Sequence, residues 1–123
     1  MDRRRLLATA PVAALVVLAF GPAVVFAHAV VVSTSLEDTP PQAGQAVTAT
    51  LRFNAAVEPR FSQVFLRSAD GREQVLTVAP GPSPDRLRVE IPPLPAGAYG
   101  LRYKVLAADG HFTENGLRFK VTE

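Results

Sequence analysis

From Val47 to Phe53 the chain alternates one for one, with Val47, Ala49, Leu51 and Phe53 set against Thr48, Thr50 and Arg52. A period of two sends every second side chain to the same face, so this stretch predicts a strand with one buried side. The same rhythm returns at Gln63 to Ser68, and again where Leu87, Val89 and Ile91 fall between Arg86, Arg88 and Glu90. Asp70-Gly71 is a turn dipeptide, and Glu73 to Val78 can return as the partner of the run before it. Tyr99, Leu101, Tyr103 and Val105 share one face of a longer strand, Leu117, Phe119 and Val121 close the chain, and Ala29 to Thr34 opens the series. Pro80 to Pro84 is loop, because proline cannot serve in a helix interior or donate to a central ladder. Pro92 to Gly97 forms a corner. No helix longer than a turn is predicted. About seven short strands between turns indicate an all-β fold, a single immunoglobulin-like β-sandwich.

Ahead of these strands the pattern changes. Arg3, Arg4 and Arg5 precede an apolar run from Leu6 to Phe20, Gly21-Pro22 breaks it, and Val25 and Ala27 stand two apart before His28. Basic, apolar and small-x-small regions in that order predict a signal peptide over residues 1–27, cut to leave a domain of residues 28–123. The competing reading is an uncleaved anchor, since Leu6 to Ala27 is just long enough to span a bilayer. Pro11, Gly21 and Pro22 make that span a poor helix. Asp2 to Leu7 also fits a loose twin-arginine pattern for export in the folded state.

Cleavage changes the charge argument. The 13 basic and 11 acidic residues lose Arg3, Arg4, Arg5 and Asp2, leaving 10 and 10 over residues 28–123. A domain without net charge offers no electrostatic case for nucleic acid or for an anionic membrane surface. With no cysteine there is no disulfide framework and no thiolate chemistry. The remaining 96 residues, 123 − 27, suit one small domain with its own core.

Candidate chemistry rests on two histidines. His28 as a first residue would offer two nitrogens, its α-amine and its imidazole. The other, His111, stands in Asp109-Gly110-His111. Residues two apart on a strand lean to one side, so Asp109 and His111 can face one ion at the end of the long strand, with Gly110 letting the backbone bend. If the first strand runs beside the last two, His28 reaches the same end. An amine, two imidazoles and a carboxylate form an N,O set that suits tetragonal Cu(II), with zinc and nickel less favoured. Met1 is the only methionine, so the cleaved chain has no thioether for Cu(I). The blander alternative treats Asp109-Gly110 as a common turn pair and His111 as a hydrogen-bonded surface histidine.

His28-Ala29 at the cleaved terminus, Leu36 to Pro41 followed by Gly44, Phe53-Asn54-Ala55-Ala56-Val57, Gly97-Ala98-Tyr99, and Asp109-Gly110-His111 with Gly116 and Phe119 resemble the CopC family of bacterial periplasmic copper-binding proteins. The resemblance covers essentially all of residues 28–123. It implies a Greek-key β-sandwich that binds one Cu(II) through the terminal amine and imidazole of His28, the carboxylate of Asp109 and the imidazole of His111. It also implies copper homeostasis or resistance in the periplasm. Copper is the partner, and an inner-membrane importer of the CopD type is one destination for it. Departures from the family pattern are the missing methionine-rich loop, Ala55 in place of a glutamate, Tyr103 in place of a tryptophan, and a long link from Phe112 to Gly116. The first of these marks a Cu(II)-only member.

The function expected is therefore sequestration, buffering or transfer of Cu(II) by an exported monomer without catalytic turnover. A polysaccharide-oxidising enzyme with a terminal-histidine copper brace is the sharper alternative. Against it, a carboxylate ligand fills the position that an oxygen species needs. A metal-free structural or adhesive sandwich is the other. Glu114 is expected to be a solvated carboxylate rather than a further ligand, and Tyr99 a corner or core tyrosine.

Overall fold

A computed structural model describes residues 28–123, and the expected signal peptide lies outside the described residues. The elements in chain order are β1 (Val31–Thr34), α1 (Ser35–Asp38), β2 (Val47–Phe53), β3 (Val57–Arg67), β4 (Glu73–Leu76), β5 (Val78–Pro80), β6 (Arg86–Ile91), β7 (Gly97–Ala107) and β8 (Phe112–Val121). They form two four-stranded antiparallel sheets, ordered β1-β2-β6-β5 and β4-β3-β7-β8. The expected all-β sandwich is what forms, with one four-residue helix.

Strict alternation in β2 and β6 sets their register. Ala49 lies opposite Val89 and Leu51 opposite Leu87, so the apolar members of both strands meet on one face. That face packs against Val64, Leu66, Leu101, Tyr103 and Val105 of the other sheet, all of them buried. Phe53 sets its ring edge-on to Tyr103, with centroids 5.4 Å apart and planes at 84°. Tyr99 is a corner tyrosine, its hydroxyl donating to Pro95 O at 2.8 Å while its ring stacks on Phe119.

Four expectations are corrected. Glu73 to Val78 is not one strand, because the chain changes sheets at Thr77: β4 pairs with β3, and β5 pairs with β6. Pro80, expected as loop, ends β5 opposite Leu87 and is tolerated because β5 is an edge strand, where a missing N–H removes no ladder bond. The link from Phe112 to Gly116 is strand rather than loop, since β7 is 11 residues long and offers ladder partners along its whole length. The fourth concerns β1, which begins at Val31 and pairs with β2, not with the last two strands.

Gly116 shows how tightly that hairpin is paired. A Cβ added there would lie 2.9 Å from the backbone oxygen of Leu101, which cannot swing aside. Gly116→Ala is therefore expected to cost about 1–3 kcal/mol through overpacking. A lowered urea midpoint would report it, and an unchanged midpoint would contradict this pairing.

Candidate metal centre

After Ala107 the chain reverses through four residues. Gly110 N donates to Ala107 O at 2.9 Å, and Ala107 N donates to His111 O at 2.9 Å. Gly110 has φ of +92°, a left-handed conformation that glycine adopts without strain. Asp109 and His111 thus sit on a turn, and the pleat of a strand is not what brings them together. The Asp109 carboxylate folds forward over its own turn: Oδ1 accepts from His111 N at 3.0 Å, and Oδ2 lies 3.3 Å from His111 Nδ1. Aspartate commonly bonds the backbone two residues on, which explains the choice of residue here.

This contact also sets the charge. The backbone N–H of His111 is the largest influence holding the Asp109 carboxyl below its ordinary range; slight desolvation opposes it and the His111 side chain adds to it. Asp109 is therefore an anion at neutral pH. Its side chain is 42% exposed and that of His111 60%, so an ion can reach both. A cation could lie between Oδ2 and Nδ1, which are 3.3 Å apart.

His28 is exposed, but the residue after it is not, since Ala29 is fully buried. Ala29 N donates to Thr113 Oγ1 at 3.1 Å, and Thr113 lies on β8 two residues beyond His111. The described chain therefore starts at the same end of the sandwich as Asp109 and His111. It gets there by side-chain bonds across the two sheets, whereas strand pairing had been expected. Among the described residues, no three His, Asp or Glu side chains converge on one point. Asp109 and His111 are brought together, and His28 is brought near without joining them.

Glu114 faces the other way. Its carboxylate accepts from Arg102 Nη1 at 2.8 Å on the outer face of the sheet. There Arg102 also clasps both oxygens of Glu73 and lies over the Phe65 ring. The Arg102 hydrogen bond is the main reason that the Glu73 carboxyl is held below its ordinary value. These carboxylates belong to a surface ion network.

Sequence reasoning gave no role to three acceptors near His28: Thr113, Asn54 Oδ1, which accepts from Val30 N at 2.9 Å, and the Tyr103 hydroxyl, which accepts from Val31 N at 3.1 Å. Extending the β8 alternation back from Leu117 through Asn115 to Thr113 would have placed Thr113 on the inner face. Neither of the other two carries a sequence signal for this role.

The CopC domain model matches residues 31–122, a span that includes Asp109 and His111 and begins after His28. Among solved structures the chain is similar to CopC from Methylosinus trichosporium OB3b, with 28% identity, a TM-score of 0.65, and coverage of 77% of this chain and 94% of that one. It is also similar to PcoC, a methionine-rich copper resistance protein from Escherichia coli, with 26% identity, a TM-score of 0.59, and coverage of 78% and 100%. A search of curated proteins finds no match. Among the described residues no helix is long and apolar enough to cross a membrane.

Proposed function

Since the chain belongs to the CopC family, its domain spanning residues 31–122, we propose that it is an exported protein that binds one Cu(II) and sequesters, buffers or hands it over outside the cytoplasm. The observation that carries this reading is the Asp109–His111 pair, an exposed carboxylate and imidazole 3.3 Å apart, with the start of the domain tied to β8 two residues away. Removal of residues 1–27 turns the His28 nitrogen from an amide into an amine. The amine and imidazole of His28, the imidazole of His111 and the Asp109 carboxylate then make up the ligand set. Three nitrogens and one oxygen favour a tetragonal Cu(II) centre.

Several features bear on what the protein does with copper. The similar PcoC is methionine-rich, whereas this chain has Met1 as its only methionine, so the cleaved domain offers no soft ligand for Cu(I). The site is built for the oxidised ion alone. With Asp109 as a ligand, the position that a reactive oxygen species would need is filled, so the reading includes no catalytic turnover. A monomer that passes Cu(II) to an inner-membrane importer of the CopD type fits such a carrier.

The test is to express the full chain with its own first 27 residues, collect the exported product and weigh it. A mass starting at His28, with one equivalent of Cu(II) bound and a tetragonal d–d absorption band, is expected. A product that starts at His28 and shows no such band would overturn the assignment.

A further inference from the structure

Three consecutive backbone N–H groups just after His28 each donate to a side chain. Ala29 N bonds Thr113 Oγ1 on β8, Val30 N bonds Asn54 Oδ1 at the exit of β2, and Val31 N bonds the Tyr103 hydroxyl on β7. In extended chain, successive N–H groups point to opposite sides. Accordingly Ala29 and Val31 are held by the β7–β8 hairpin, while Val30 is held from the other flank. There Asn54 N also returns a bond to Val30 O at 3.0 Å. The first ladder pair of β1 with β2 is Val31 with Phe53, so Ala29 and Val30 precede the regular ladder.

We infer that Thr113, Asn54 and Tyr103 are positioning residues, a clamp on Ala29–Val31 that holds His28 ready to chelate the metal. The inference rests on the proposed reading of His28 as a ligand. Its force comes from peptide planarity: the bond from Ala29 N–H to Thr113 orients the plane that also contains the carbonyl and Cα of His28. That Cα lies about 3.8 Å from the Cα of Ala29, a residue with no exposed surface. With the plane held, the amine of a terminal His28 is placed by one torsion, ψ, and its imidazole by two more, χ1 and χ2. Releasing the plane restores backbone freedom that metal binding must then remove, roughly a tenfold loss of affinity per residue freed.

Sealing the sandwich would also explain three bonds, and a mutant cycle separates the two roles. Cu(II) affinity is measured for exported protein beginning at His28 and for the same protein acetylated on its α-amine, each with and without Thr113→Val. Valine keeps the shape of threonine and removes the acceptor. The expected result is a loss of about tenfold in the protein with a free His28 amine, with altered Cu(II) EPR parameters, and under about twofold in the acetylated one. Thr113→Ser should restore binding. Equal losses in both backgrounds, or no loss, would overturn the clamp while leaving His28 a ligand. If acetylation itself costs nothing, the His28 amine is not a ligand, and the clamp and the proposed ligand set both fall. Should Thr113→Val not fold, Tyr103→Phe, which removes only a hydroxyl, carries the same cycle.

Discussion

An acetyl group on the His28 α-amine is expected to weaken Cu(II) binding at least about a thousandfold, ~4 kcal/mol, while leaving the fold untouched. Acetylation converts the α-amine into an amide, whose lone pair is delocalised into the carbonyl, and brings no new amine. The site loses a nitrogen donor and the chelate ring that the amine and imidazole of one residue close together. Stability should hold because His28 is exposed and the first buried residue is Ala29. Calorimetric titration of the two proteins, with their urea midpoints as the control, checks both halves. Equal affinities would show that the amine takes no part.

His111→Ala is expected to weaken Cu(II) binding by about a hundredfold to a thousandfold, ~3–4 kcal/mol. Its side chain is 60% exposed and its backbone carbonyl still accepts from Ala107 N, so the turn should persist. Asp109 also keeps its bond to the backbone N–H of residue 111. What disappears is the imidazole beside the carboxylate, which makes the loss specific to the metal. A competition titration against a Cu(II) chelator gives the ratio. Undiminished affinity would remove His111 from the ligand set and with it the case for the β7–β8 turn as the site.

The sandwich was legible where one face of a strand is wholly buried. In β2 and β6 every inward residue is apolar, and the alternation marks the strands directly. It failed where inward positions are polar. Thr113 and Asn115 occupy the inner side of β8, Thr113 taking the Ala29 N–H, so the first half of that strand read as loop. At Thr77 a continuous polar and apolar mixture hid a change of sheet, because leaving one ladder and joining another changes neighbours without changing the local pattern. Asp109 and His111 were legible as a pair from their spacing, but for a different reason from the true one. A turn with a left-handed Gly110 joins them, and the carboxylate bonds forward onto the turn itself. The approach of His28 was expected from pairing of the first strand with the last two, whereas the bonds that tie Ala29 and Val31 to those strands go to single side-chain acceptors. Such acceptors leave no periodic trace in a sequence.

The central claim is that a terminal His28 and the β7–β8 turn share one Cu(II). Electron paramagnetic resonance of the one-copper protein, with histidine labelled in nitrogen-15, tests it most directly. A chain beginning at His28 should give a tetragonal spectrum with coupling to three histidine nitrogens, and the same chain acetylated on its α-amine should lose one of them. The same nitrogen count in both proteins would contradict it.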